Sequence, residues 1–341
     1  MAVDVARGSL AADLSRFRAS RDRGIGFVLG LTAADGTVGN PDDGFVFYRA
    51  PWSFQLTGHS EVASAVCGWV RRHMLQPDGT LDGGIRTSTA AYGYIDSTFI
   101  YGAHLAGQFD LSEGLMPRLL GWQDERSGGF ANDLLPGGEP GDDMDVWNAC
   151  GPGFASLVTG HRREAGLVAE FLGRIHRAQP NLPRHLYFAW SRERQALITE
   201  FDAAAAATYV VDNELDARQS WVVGGIAAAF LGRLYLVDRD PELLSLARAY
   251  QDFSMAATPA QFNYASACKS GWGGAVLYQV TGEDRYLEWT RRMGDWFAGR
   301  QRADGAWGLD ETSTGGTLVW VTLEFVMHMD TIINALASHA A

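Results

Sequence analysis

The chain has 341 residues, 47% of them hydrophobic, enough for one large core or two ordinary ones. Its net charge of −12 and pI of about 5.1 exclude nucleic acid as the expected partner, because polyanion binding relies on Lys and Arg against phosphates, and no basic stripe offsets the balance. Cys67, Cys150 and Cys268 are odd in number, far apart and without CxxC spacing, so neither a disulfide framework nor a zinc ribbon is expected, and a reducing cytoplasm is the default.

The N-terminal stretch "MAVDVARGSLAADLSRF" lacks the charged-then-apolar layout of a signal peptide. From residue 9 an amphipathic run, "SLAADLSRFRASRDRGIGFVLGL", leads into the turn phrase "LTAADGTVG" at 31–39. Beyond it, apolar runs repeatedly end in a short turn and hand over to a more amphipathic helix. These turns are "QLTGHSE" (55–61), "HLAGQFD" (104–110), "LVTGHRRE" (157–164), "YLVDRDPE" (235–242) and "QVTGEDR" (279–285). Gly58, Gly107, Gly160 and Gly282 occupy the C′ position of a left-handed helix end, and the Ser, Asp or Glu that follows is expected to cap the next helix.

The second helices, such as "DPELLSLARAYQDFSMA" (240–256) and "DRYLEWTRRMGDWFAGRQ" (284–301), keep one wet face. The first helices, such as "SWVVGGIAAAFLGRLYLV" (220–237) and "YASACKSGWGGAVLYQV" (264–280), are apolar or small nearly all round and must be buried on every side. The last of them, "TLVWVTLEFVMHMDTIINALA" (317–337), is interrupted by Glu324, His328 and Asp330 and is not expected to span a membrane. About six buried and six amphipathic helices, with few strand signals, predict a single all-α domain over 1–341, an (α/α)6 barrel. Its first outer helix should close against its last inner one.

Outer helices lead back to inner ones through a recurring Gln/Asp-Gly/aromatic phrase: "QPDGTLDGG" (76–84), "QDERSGGF" (123–130), "QRADGAWG" (301–308) and the fainter one at 31–39. The phrase resembles the QW repeat of squalene and related terpenoid cyclases and the QxxDGGF/W turns of protein prenyltransferase β subunits. The resemblance implies an α/α toroid with a central cavity. Six-hairpin glycosidases, uronyl hydrolases, sugar epimerases and linalool dehydratase/isomerase share the plan, so the fold alone does not choose a chemistry.

In such a barrel the inner-helix N-termini gather at one mouth, with their free N–H groups and positive dipole ends. Polar residues expected there are Tyr48, Arg49, Tyr94, Asp96, Asp142, Asp143, Asp145, Asp212, Asn213, Arg218, Cys268, Lys269 and Thr317. In "GDDMDVWNACGPG" (141–153), Asp143-Met144-Asp145 resembles half of the DxDD acid of class II terpenoid cyclases, which implies a proton donor; a solvated N-cap cluster is the competing reading. Asp212 is either a helix cap or a cavity residue, and Arg218 suits an anionic substrate group or a plain ion pair.

Lys269 is the only lysine in a chain that otherwise uses Arg, and it sits in a helix of small and apolar residues. A compact amine there can bind a carboxylate, exchange a proton or form an imine, or it can join two inner helices through a buried Lys–Asp bridge. On the last inner helix Thr317, Trp320, Glu324, His328 and Thr331 form a polar stripe at spacings of three and four, with Glu324 and His328 placed as an acid/base pair or a satisfied structural pair. Two such groups are too few for a metal, and no cofactor is expected. Phe45, Tyr48, Trp52, Tyr92, Tyr94, Trp147, Trp272 and Trp320 are candidate wall aromatics, suited to a carbocation or to sugar rings.

Together these features predict an enzyme of cyclase, isomerase or lyase type with Lys269, Asp143, Asp145, Glu324 and His328 as catalytic groups. Tyr94, Asp96, Asp212, Arg218, Trp272 and Trp320 would bind a small-molecule substrate, in natural-product biosynthesis. The alternatives are a carbohydrate-active hydrolase, lyase or epimerase on the same barrel, which needs two carboxylates at a defined separation, and a ligand-binding toroid without catalysis.

Overall fold

A computed structural model describes residues 2–42, 46–81, 92–135 and 138–339. Phe45 and the end of the second Gly-rich phrase, 82–84, lie outside the described residues, as does the side chain of Tyr92. Twelve of the described α-helices alternate between two rings. The inner ring is α2 (Ala50–Leu56), α4 (Tyr92–Leu105), α6 (Val146–Val158), α9 (Val222–Asp238), α11 (Cys268–Thr281) and α13 (Gly315–Ser338). The outer ring is α1 (Ala2–Leu29), α3 (Ser60–His73), α5 (Phe109–Leu120), α7 (Arg162–Arg177), α10 (Pro241–Met255) and α12 (Asp284–Gly299). Each inner helix packs on the next around the circle, and α13 returns to α2. The expected (α/α)6 barrel is the observed fold.

Burial follows the sequence pattern. Helix α9 has no polar face and is enclosed from Val223 to Gly232, whereas α7 buries only the stripe through Val168, Phe171, Leu172 and Ile175. Inner helices approach closely because small residues line their seams: a Cβ at Gly225 of α9 would lie 2.1 Å from the carbonyl of Lys269 on α11. Helix α13 is long and apolar enough to cross a membrane, yet 83% of its most apolar stretch is buried inside the rings.

The Gly-rich phrases tie outer helices to each other. Gln123 donates to Gly128 O in its own turn (3.1 Å) and to Glu164 O on α7 (3.0 Å). Gln301 does the same to Gly305 O and to Ser20 O on α1, both at 2.8 Å, which closes the circle. The aromatics of the two phrases, Phe130 and Trp307, are fully buried plugs. The Arg21–Asp330 ion pair (2.6 Å) adds a direct link between α1 and α13.

Helix ends differ from expectation in one respect. The C′ glycines of the inner helices all have positive φ, and Arg239 takes the left-handed position where the fourth turn has no glycine. Among Ser60, Asp110, Glu164, Asp240 and Glu283, however, only Asp240 caps, accepting from Glu242 N (2.9 Å). At three of the other turns His59, Gln108 or His161 occupies the N-cap, so the polar residue falls inside the helix, where Asp110 and Glu164 meet the dipole instead. Strands are more numerous than expected. β1 (Asp143–Asp145), β3 (Ala189–Ser191) and β4 (Ala196–Leu197) form one antiparallel sheet, and β2 (His185–Tyr187) pairs with β5 (Val210–Asp212). β1 directly precedes α6; the other four belong to the long α7–α9 connection, which also carries the short alanine helix α8 (Ala203–Tyr209).

Candidate active site

The inner-helix N-termini surround a cavity of about 970 Å³. Arg49 is the N-cap of α2, Tyr94 and Trp147 lie in the first turns of α4 and α6, and Cys268 and Lys269 begin α11. Thr317, Trp320 and Glu324 descend one face of α13 into the same space. Its walls are largely aromatic, from Tyr48, Tyr94, Trp147, Tyr264, Trp320 and Phe325. Its rim includes Arg218, Gln219, Ser220 and Asp310, with Ala207 and Thr208 of α8 on one side.

The floor is a buried ionic cluster. Glu324 places Oε1 2.5 Å from Lys269 Nζ and Oε2 2.9 Å from Arg49 Nη2. Lys269 Nζ also donates to the Tyr94 hydroxyl at 2.8 Å, and Arg49 Nη2 reaches the same oxygen at 3.4 Å. The Arg49 guanidinium lies over the rings of Tyr48 (4.3 Å) and Trp320 (5.2 Å), and the ammonium is 5.3 Å from the Trp272 ring. Trp272 itself stacks on Phe154 at 4.6 Å and meets Trp52 edge-on. Two cations therefore share one carboxylate, and the floor carries one surplus positive charge.

This arrangement sets the protonation states. Burial pushes the Glu324 carboxyl up, but Arg49 and then Lys269 more than reverse it, holding Glu324 well below the usual carboxylate range. Burial works against the Lys269 ammonium, yet Glu324 and Tyr94 outweigh it and raise its pKa, so it stays charged. Burial, reinforced by repulsion from Lys269, lowers His328 to about 4 and leaves the imidazole neutral. Burial drives the hydroxyl of Tyr48 and the thiol of Cys268 above their ordinary values, keeping both protonated.

Of the residues proposed from the sequence as catalytic or substrate-binding, Tyr94, Arg218, Lys269, Trp320 and Glu324 line this cavity. So do Tyr48, Arg49, Cys268 and Thr317, expected at the mouth, and the wall aromatic Trp147. Lys269 is paired with Glu324 across α11 and α13 rather than with an aspartate. Trp272 and His328 lie beneath the floor. His328 Nε2 is 3.5 Å from Glu324 Oε1 without a hydrogen bond, because that carboxylate is turned toward Lys269 and Arg49. The aspartates are placed elsewhere. Asp145 is buried as the N-cap of α6, accepting from the backbone and side chain of Asn148 at 2.7 Å. Asp143 is exposed on β1, opposite Ser191. Asp212 meets His185 at 3.2 Å and Arg184 at 3.5 Å on β5. Asp96 is half-buried on α4, one residue beyond the cavity-lining Ile95.

Arg49 is the chief functional residue that the sequence placed at the mouth without assigning it a catalytic or binding role. Its signal was position, directly before the Ala50-Pro51 start of an inner helix. The contribution of α8 carried no signal, since "AAAAATY" offers no chemistry. Cys268, Glu324 and His328 bring possible donor atoms within 4.8 Å of one another. The fit to a metal is poor, because both Glu324 oxygens already serve cations and Lys269 would repel another.

No protein-family model matches the chain, and no match to it was found among curated proteins. Solved structures share its architecture. A D-mannose isomerase superposes with a TM-score of 0.70 at 11% identity, over 94% of this chain and 97% of its own. A cellobiose 2-epimerase from Spirochaeta thermophila gives 0.66 at 15% identity, covering 99% and 98%. A type II terpene cyclase from Scytonema, bound to geranylgeranyl dihydroxybenzoate, gives 0.60 at 12% identity, covering 95% and 99%. At such identities the likeness is one of fold, and the chain takes the (α/α)6 toroid form common to these proteins.

Proposed function

We propose that the chain is an enzyme that moves protons on an oxygenated small molecule in its central cavity, an isomerase or a dehydrating lyase. Tyr94 is the proton-transfer group in this reading. Lys269 and Arg49 stabilise negative charge on its oxygen and on the substrate. The observation that carries it is the Tyr94 hydroxyl, which receives Lys269 Nζ at 2.8 Å with Arg49 Nη2 at 3.4 Å. With two cationic donors on its oxygen, the phenol directs its own hydrogen elsewhere, and Tyr94 lines the cavity. Donation to a substrate carbonyl oxygen leaves a phenolate held by both cations. Removal of the neighbouring C–H proton by that phenolate then gives the enol, and the reverse steps give the isomer.

The same cluster disfavours other chemistries on this barrel. Glu324 is held ionised and cannot protonate an alkene, and two floor cations oppose a carbocation. Among the described residues, a hydrolase pair would have to be drawn from the cavity-lining carboxylates Glu324 and Asp310, of which Glu324 is already engaged. An epimerase or isomerase acting on a sugar is the second reading, favoured by the aromatic walls.

Proton exchange tests both. Enolisable hydroxyketones and a panel of aldoses and ketoses are incubated with the enzyme in heavy water, and carbon-bound deuterium is followed by NMR. Tyr94→Phe should slow exchange at least about 100-fold with the thermal transition retained. Exchange at the wild-type rate in that variant sinks the assignment, and the panel member that exchanges decides between the two readings.

A further inference from the structure

The cavity is polarised along its depth. Among the described residues, Arg49 and Lys269 at the floor are opposed by Glu324 alone, whereas at the rim the exposed Arg218 and Asp310 balance each other. Between them the described walls are largely aromatic and carry no formal charge. Donors at the inner end are also left over. Arg49 is almost wholly buried, yet its Nε and Nη1 have no acceptor, and neither has Nε1 of Trp147, whose ring sits 5.0 Å from that of Tyr94. Buried N–H groups without acceptors are costly and rare, so three around one end of a cavity call for an acceptor from outside the chain. A space of about 970 Å³ is also far larger than a single small ring needs.

We propose that the ligand of this cavity is an amphiphilic organic anion, a carboxylic acid with a flat and largely apolar body, bound with its carboxylate inward against Arg49 and Trp147. This deepens the reading above by naming the substrate class of the same site. The anion neutralises the surplus charge of the floor and supplies acceptors to the free donors. The body stacks between Trp147, Trp320 and Phe325, and the Lys269–Tyr94 pair is left to the reacting oxygen.

Three unreactive probes of matched shape test this by calorimetry on the full chain: naphthalene-2-carboxylate, 2-naphthalenemethanol and a naphthylmethyl trimethylammonium salt. The carboxylate should bind at least about tenfold more tightly than the alcohol, and the ammonium not measurably, because burial strengthens the charge term. Raising the salt concentration should leave the alcohol's affinity nearly unchanged and weaken the carboxylate's. Trp147→Phe should weaken the carboxylate severalfold more than the alcohol, and Glu324→Gln should strengthen the carboxylate. Should Glu324→Gln fail to fold, the Trp147→Phe comparison decides. Equal binding of acid and alcohol, preference for the ammonium, or no acid binding at millimolar concentration overturns the proposal. Deuterium exchange into neutral substrates is a separate readout, so either idea can fail while the other stands.

Discussion

At the residue scale, burial gives two groups opposite pH signatures. His328 is lowered to about 4, so between pH about 4 and 6.5 the unfolded chain binds a proton that the native state refuses. Its contribution to stability is complete above that window and declines as pH falls through it. Asp145 is pushed up to about 6 by burial, against the pull of Asn148. Between pH about 4 and 6 the native state therefore holds a proton that the unfolded aspartate has released, and this contribution declines as pH rises. In the wild type the two slopes oppose each other. Asp145→Asn keeps a good N-cap and removes one of them. Its stability relative to wild type should improve by about 2–3 kcal/mol between pH 4 and pH 7, as measured by urea unfolding. A difference that does not change with pH would refute the assignment. Little of this was visible in the sequence: Asp145 reads equally well as a surface cap or a catalytic acid, because the strand β3 that helps cover it is distant in the chain.

At the element scale, the Gly-rich phrase is a joint between outer helices. Gly128 has φ +87°, and a Cβ there would lie 2.0 Å from Leu167 O on α7. Gly160, at the end of α6, has nearly the same φ of +83° with nothing within 4 Å. The two alanine substitutions therefore share a backbone penalty and differ in contact. Gly160→Ala should cost about 1 kcal/mol and Gly128→Ala at least about 2 kcal/mol more, because a carbonyl of a packed helix cannot give way. Equal losses in thermal or urea unfolding would show that the joint is looser than its geometry implies. The phrase was legible because a left-handed turn under steric contact leaves few residue choices. The helix caps were less so, since Ser, Asp and Glu are as acceptable in the first turn as at the N-cap.

For the whole molecule, closure makes α1 part of the core although it is the first element. Gly24 of α1 abuts the buried Trp307, Phe17 packs against Gly294 of α12, and Ser20 and Arg21 bind Gln301 and Asp330. Deleting residues 1–30 should uncover these surfaces together. The expected result is loss of the cooperative thermal transition and of near-UV dichroism, with much far-UV helical signal retained. A truncated chain that still melts in one sharp step would show that α1 is an appendage.

What the sequence by itself determined was the ring. Helical periodicity, all-apolar inner helices and repeated glycine turns are local properties, and twelve local decisions sum to one architecture. It also marked Lys269, Tyr94, Glu324 and Trp320, because an uncommon residue in an apolar helix stands out without knowledge of its partners. Only the tertiary structure decided the site. Lys269 and Tyr94 are 175 residues apart, and Arg49 and Glu324 lie near opposite ends of the chain. Charge state depends on such through-space neighbours and on the water they exclude, and neither is written in the order of residues. The same physics set the aspartates of 143–145 and Asp212 apart from the cavity: one strand pairing or one helix cap, invisible locally, chooses which way a carboxylate points.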